Sequence, residues 1–210
     1  MKSSDNLSPR KRMLWSVLRY GVPSRLRWYY EGHPKLRGQL WVAERRLLYG
    51  TVRKYRPEIC FEIGTWRGGG STLFLAQALH DNGEGMLHTI EVNREISQEA
   101  IDNYSAYLPE LVPFVKFHLG DYRVIYGNIL RTCGPVGFLF LDGAEDADET
   151  LHQFELFAPH LGAGSIVMAH DWFTEKARLV RSLLEDRPEW EVKSILSPPA
   201  SVGLALFRHR

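Results

Sequence analysis

The chain has 210 residues, 44% hydrophobic and 24% charged, enough for one globular domain with a sizeable core. This composition excludes a low-complexity chain, and no apolar run approaches the length of a membrane-spanning helix. The net charge of +1 conceals an asymmetry: residues 1–54 carry 13 Lys/Arg against 3 Asp/Glu, net +10, and the remainder 13 against 22, net −9.

Residues 1–56 read as a basic N-terminal helical segment and 57–210 as the main domain. The first ten residues are polar. Helical spacing predicts helices over 11–20 and about 38–55, separated by Gly21-Val22-Pro23 and Gly32-His33-Pro34. Trp15, Trp28, Tyr29, Tyr30 and Trp41 lie among the positive charges. The segment therefore reads either as a solvated cap or as a surface for an anionic partner such as RNA or an acidic membrane. The apolar stretch Met13–Leu18 is too short for a secretory signal, and Arg19 follows it at once. Cys60 and Cys133 cannot make a zinc site alone and read as buried free thiols. A cytoplasmic location is expected.

From Pro57 the pattern alternates. Strands are predicted over 58–63, 86–91, 114–118, 136–142, 165–170, 190–196 and 202–208. Helices are predicted over 71–81, 94–107, 122–131, 146–160 and 174–186. Such alternation implies a mostly parallel sheet with helices on both faces. The last two strands are joined by too few residues for a helical crossover, so they are expected to be antiparallel neighbours.

In open α/β sheets, ligands bind beyond the carboxyl ends of the strands. The first strand ends at Glu62 and leads into Gly64-Thr65-Trp66-Arg67-Gly68-Gly69-Gly70 before the helix at Ser71. A glycine loop here lets backbone N–H groups approach a ligand. Its spacing is neither the dinucleotide fingerprint nor a phosphate loop. The second strand ends at Glu91, where a carboxylate is placed to accept hydrogen bonds from ribose hydroxyls. The later strands lead to Gly120-Asp121, Asp142-Gly143 and His170-Asp171. An acidic rim of this kind suits a cationic, hydroxyl-bearing cofactor and not a bare polyphosphate.

The ordered set Glu62-Ile63-Gly64-Thr65-Trp66-Arg67-Gly68, Glu91, Gly120-Asp121, Asp142-Gly143 and His170-Asp171 resembles class I S-adenosylmethionine-dependent methyltransferases. Within that class it is most similar to the macrocin-type and catechol-type group of small-molecule O-methyltransferases, over roughly 57–208. The resemblance implies a Rossmann-like, seven-stranded, mostly parallel sheet with an antiparallel last strand, and S-adenosylmethionine as cofactor. It implies that Glu62 and Gly64 lie toward the methionine end and Gly68 in the loop beneath the cofactor, with Thr65 also among the cofactor-binding residues. Glu91 would hold the ribose, Asp121 and Tyr122 the adenine, and Asp142 the methionine or the reacting centre. The N-terminal segment is a candidate homodimer contact in that group.

Asp142 and Asp171 end neighbouring strands in this fold, about 4.8 Å apart, so the pair is a candidate Mg²⁺ site, as in the metal-using relatives. Two departures stand against that pattern: Trp172 where relatives carry a further oxygen ligand, and Glu145 where they often carry His or Lys. Glu145 reads as a ligand, a base or the cap of the helix at 146. His170 is the leading general-base candidate, its ordinary pKa lying near neutrality. Trp172 reads as an acceptor wall or as core. The departures leave room for a non-catalytic cofactor-binding member of the class. The acceptor itself is expected to be a small molecule with a hydroxyl, the alternative being an anionic or RNA acceptor recruited by the basic segment.

Overall fold

The computed structural model describes residues 32–199 and 201–210. The helix expected at 11–20 and most of the basic segment lie outside them. In chain order the elements are α1 (Val42–Tyr55), β1 (Ile59–Ile63), α2 (Ser71–Asn82), β2 (Met86–Glu91), α3 (Arg94–Tyr107), β3 (Val115–Leu119), α4 (Tyr122–Leu130), β4 (Phe138–Leu141), α5 (Ala147–Phe157), β5 (Ile166–His170), α6 (Arg178–Asp186), β6 (Trp190–Leu196) and β7 (Leu204–His209).

Side-chain chemistry at the chain's turns sets many of these limits. Asn93 starts α3 by accepting from the N–H groups of Glu95 and Ile96, and Asp121 starts α4 by accepting from Arg123. Asp146 starts α5 by accepting from Glu149. Gly83, at φ +73°, ends α2 in the left-handed conformation that glycine adopts without penalty. The helix expected over 146–160 is α5 followed by one 3₁₀ turn at Ala158–His160, because Pro159 has no N–H to continue the α ladder. The helix expected over 174–186 likewise begins as a 3₁₀ turn at Glu175–Ala177.

All seven strands form one sheet in the order β3-β2-β1-β4-β5-β7-β6. β1 pairs in parallel with β2 and β4, β2 with β3, and β4 with β5. β7 runs antiparallel to both neighbours, sliding between β5 and β6. The expected antiparallel pairing of the last two strands holds.

The pleat sends alternate residues to opposite faces. Phe138 and Phe140 of β4 join a core with Leu73, Phe74 and Leu79 of α2, and Leu139 and Leu141 join one with Phe154 and Phe157 of α5. α1 belongs to the first of these cores: Leu48 and Val52 are fully buried within it. Each such side chain contributes about 1.5–3 kcal/mol relative to exposure. The helix at 42–55 is therefore packed into the body of the molecule and is no detached cap.

The strand order reverses between β1 and β4, the switch point where a crevice opens in folds of this type. Gly64, at φ +103°, leaves β1 there. A Cβ on it would stand 3.1 Å from the Cα of Gly143, in the chain leaving β4.

Candidate active site

A single cleft of about 730 Å³ runs along the carboxyl ends of the strands, from the Asp121 loop past the glycine loop to the ends of β4 and β5. Gly64, Thr65, Glu91, Asp121, Tyr122 and Asp142, all expected at a cofactor site, line it. So do Glu145, His170 and Asp171.

Glu91 is fixed by its surroundings. Its Oε2 accepts from the N–H of Trp66 at 3.0 Å and its Oε1 from the N–H of Asn93 at 3.0 Å. These bonds hold the carboxylate at the end of β2 and leave lone pairs for a ligand hydroxyl. Asp121 combines its capping bond with an ion pair to Arg123, whose guanidinium lies 4.9 Å over the Tyr122 ring. Thr65 is turned to Thr89, oxygen to oxygen at 2.5 Å.

Two expected cofactor residues stand elsewhere. Glu62 does not line the cleft. It is fully buried beneath the glycine loop, where its Oε2 accepts from Thr72 and Thr89 hydroxyls, each at 2.6 Å. Burial pushes its pKa up to about 7 against the pull of those hydroxyls, and its Oε1 has no partner. Its role in this structure is to bind the start of α2 to β2. Gly68 also faces inward: Tyr104 of α3 donates to its carbonyl at 3.1 Å and occupies the space a Cβ would need. Gly69 serves packing, because a Cβ there would come within 2.4 Å of the Arg37 carbonyl oxygen.

The other end of the cleft is built around His170. Its Nδ1 lies 3.0 Å from Asp142 Oδ1 and 3.6 Å from Asp171 Oδ1. Its Nε2 lies 3.2 Å from Oε1 of Glu44, a fully buried carboxylate of α1. Glu44 also accepts from the Ser201 hydroxyl at 2.5 Å and the Trp41 N–H at 2.7 Å. Burial alone would raise the Glu44 pKa, but these three hydrogen bonds outweigh it and hold the group below the usual carboxylate range. Burial likewise opposes charge on His170, yet hydrogen bonds to Asp142 and Glu44, with their charges, lift its pKa to about 10. With both ring nitrogens engaged and the proton firmly held, His170 is not the free base that its ordinary pKa suggested.

Asp171 sits just past β5 with φ +54°, a left-handed backbone that a non-glycine residue adopts only where its surroundings impose it. Those surroundings are the Trp172 N–H, which donates to the Gly203 carbonyl, and the Thr174 N–H, which donates to the Asp171 carbonyl. Lys176 lies 3.6 Å from Asp171 Oδ2. Trp172 is fully buried against Phe207 and is core, so it forms no wall of the cleft. Glu145 stands exposed on the rim, and the cap of α5 is Asp146.

Donor atoms of Asp142, His170 and Asp171 all lie within 4.8 Å of one another, the grouping among the described residues that can hold a metal ion. The expected pair of carboxylates is thus joined by an imidazole. Sequence reasoning missed Glu44, whose helical spacing marked it only as part of an amphipathic pattern. It also missed Gln153 of α5, 1% exposed and lining the cleft with an unpartnered Oε1. Both are polar residues on helix faces that become buried, and nothing local in the sequence marks that burial.

A family model described as a methyltransferase domain matches residues 61–172. No curated protein matches the sequence. Among solved structures, the chain is similar to the O-methyltransferase TomG from Streptomyces achromogenes, involved in tomaymycin synthesis and solved with SAM. Identity there is 20%, with 97% of this chain and 99% of that one covered and a TM-score of 0.69. It is similar to an O-methyltransferase from Bacillus cereus in complex with SAH at 17% identity, covering 99% and 94%, with a TM-score of 0.65. A Podospora anserina methyltransferase bound to SAH gives 16% identity, coverage of 98% and 97%, and a TM-score of 0.63.

Proposed function

The chain belongs to the methyltransferase-domain family, and from that premise we propose that it transfers a methyl group from S-adenosylmethionine to a hydroxyl of a small molecule. The observation that carries this reading is the continuity of the cleft. One cavity joins the Glu91 and Asp121 end to the Asp142 and Asp171 end, which is the arrangement that donor and acceptor both require. Glu91 would take the ribose hydroxyls, and Asp121, Tyr122 and Gln153 the adenine. The buried, unpartnered Oε1 of Gln153 supports a ligand with a hydrogen-bond donor at that place, since such an atom costs about 1–3 kcal/mol while unpaired. Asp142, below the glycine loop, would face the methionine end.

Methyl transfer from a sulfonium is an in-line displacement: the acceptor oxygen bonds to the methyl carbon as the carbon–sulfur bond breaks, and S-adenosylhomocysteine leaves. Alignment of the two reactants supplies the largest contribution, up to roughly 7–11 kcal/mol. The acceptor enters the open end of the cleft beside Trp41, Glu145 and Lys176. Glu145 is the carboxylate there that is free of a capping duty and would receive the acceptor's proton. His170 and Lys176 supply positive charge next to the developing anionic oxygen. Asp142 and Asp171 have the donor chemistry to hold a divalent metal, which when bound would lower the pKa of a coordinated hydroxyl.

Calorimetric titration with S-adenosylhomocysteine tests the reading. Binding with thermal stabilisation is expected, weakened by Glu91→Ala. Absence of both heat and stabilisation at millimolar ligand would sink it.

A further inference from the structure

We propose that the mouth of the cleft docks on a lipid bilayer with anionic headgroups, through a rim of half-exposed apolar side chains flanked by Lys35, Arg37 and Arg46. The docking stands by itself. Only its use, bringing an acceptor dissolved in the bilayer to the cleft, rests on the methyltransferase reading above.

The rim is apolar where a solvent-facing cleft would ordinarily be polar. Trp41 and Phe173 are 51% and 50% exposed, and Val202 is 39% exposed. Trp41 and Val202 both line the cleft. A Cβ on Gly203, next to Val202, would stand 2.9 Å from the Phe173 ring, so Phe173 continues the same rim. Trp41 also walls a second hollow of about 630 Å³, which Val42, Ala43, Arg46, Leu47 and Leu196 line between the start of α1 and the end of β6. Single exposed apolar side chains are common, whereas a run of them beside a cleft marks a contact surface.

Charge gives the partner its sign. Leu36 and Leu40 are buried while Lys35, Arg37, Gln39 and Trp41 are exposed, so this stretch turns its basic and aromatic side chains outward. The Arg37 carbonyl accepts from the Gly69 N–H, which holds the stretch against the glycine loop beside the cleft. Residues 32–54 carry six Lys/Arg against one acidic residue, Glu44, and that carboxylate is buried and turned to His170. Residues 1–31, which join the stretch at Gly32, add seven against two. The remainder of the chain is net −9. An anionic surface therefore attracts one part of the molecule and repels the rest, which orients the approach. Glu145 lines the same mouth and opposes the attraction, so binding is expected to be reversible and to weaken with salt.

The hollow beside Trp41 decides between anionic partners. RNA also presents phosphates, with bases that stack on aromatic rings, and Trp41 alone suits either partner. Val42, Ala43, Leu47 and Leu196 offer aliphatic surface, against which the polar edges of a nucleotide would lie unpaired. Acyl chains suit such a surface, and Trp is at home at the boundary between headgroups and hydrocarbon.

The test uses the full chain and phospholipid vesicles. Sedimentation with vesicles of roughly one-third phosphatidylserine in phosphatidylcholine is expected to retain the protein at about 0.1 M salt. Phosphatidylcholine alone should bind it at least about tenfold more weakly. Lys35→Glu combined with Arg37→Glu is expected to weaken binding to the acidic vesicles at least about tenfold, each cation near such a surface being worth roughly fivefold. Lipids brominated high on the acyl chain should quench tryptophan emission, and Trp41→Phe should lower that quenching. The thermal midpoint by circular dichroism checks that each variant is folded, and Lys35→Gln with Arg37→Gln replaces the charge reversal should it fail. Equal binding to the two vesicle types, binding to neither, unchanged binding in the folded charge variant, or quenching that Trp41→Phe leaves unaltered would each overturn the proposal. Retention of RNA in place of vesicles would overturn it as well. Vesicle binding without S-adenosylhomocysteine binding would instead strike the cofactor assignment and leave the membrane face standing.

Discussion

Glu62 and Gln153 show what burial does to a polar residue beside a ligand cleft. The Glu62 carboxyl is fully enclosed, with a pKa of about 7 against an ordinary 4.5. The folded protein therefore binds more protons than the unfolded chain between those values, and stability falls as pH rises through that window. The full effect is about 3 kcal/mol. Urea denaturation at about pH 5 and about pH 8 should show this decline, and Glu62→Gln should flatten it. Gln153 presents the opposite trade. Gln153→Leu removes an unpartnered buried acceptor, so the ligand-free protein should gain about 1 kcal/mol while S-adenosylhomocysteine affinity falls. A variant that lost stability and kept its affinity would show Gln153 to be a packing residue only. Neither behaviour follows from residue type alone, since Glu and Gln ordinarily stand in solvent.

At the scale of elements, the glycine loop has two sides. Gly64 faces the cleft, and Gly69 faces the segment at Leu36–Gly38, where its N–H donates to the Arg37 carbonyl at 3.1 Å. Gly38 and Gly69 meet so closely that a Cβ on Gly38 would stand 2.1 Å from the Gly69 carbonyl oxygen. Gly69→Ala is expected to cost at least about 2 kcal/mol, because backbone must move on both sides. The denaturant midpoint measures it, and an unchanged midpoint would remove this contact from the account. The same crossing leads into α1, which carries Glu44 to His170. Leu48→Ala in α1 leaves a cavity under the helix and should cost about 2–5 kcal/mol. Because the helix brings Glu44 to His170, this loss should also loosen that contact without touching either residue. The segment before residue 57 thus shapes the site as well as the core.

Across the whole molecule, the carboxyl-terminal strands close the sheet. β7 lies between β5 and β6, with Leu204, Ala205 and Phe207 fully buried. Gly203, just before it, accepts from the Trp172 N–H and so holds the Asp171 turn. A chain ending at Asp186 would leave β5 as an open apolar edge beside the site. It is expected to lose cooperative unfolding as followed by circular dichroism, together with S-adenosylhomocysteine binding. Retention of both would mean that five strands suffice. No helix among the described residues is long and apolar enough to cross a membrane.

Local rules carried much of this into the sequence. The alternation of strands and helices from Pro57 onward, the glycine loop after Glu62 and the carboxylates after successive strands determined the sheet, its antiparallel ending and the edge at which the cleft opens. Those signals are legible because period, turn chemistry and strand-end position are properties of neighbouring residues. Contacts over long sequence separation were decided only in three dimensions. Glu44 and His170 are 126 residues apart, and Glu44 and Ser201 157 apart. That partnership turned a presumed base into a doubly held imidazole. Burial placed Glu62 behind the glycine loop and Trp172 in the core for the same reason: which face of an element is covered depends on what packs against it. The sequence by itself determined where the cleft would lie, and the tertiary structure decided which side chains reach it and in what ionic state.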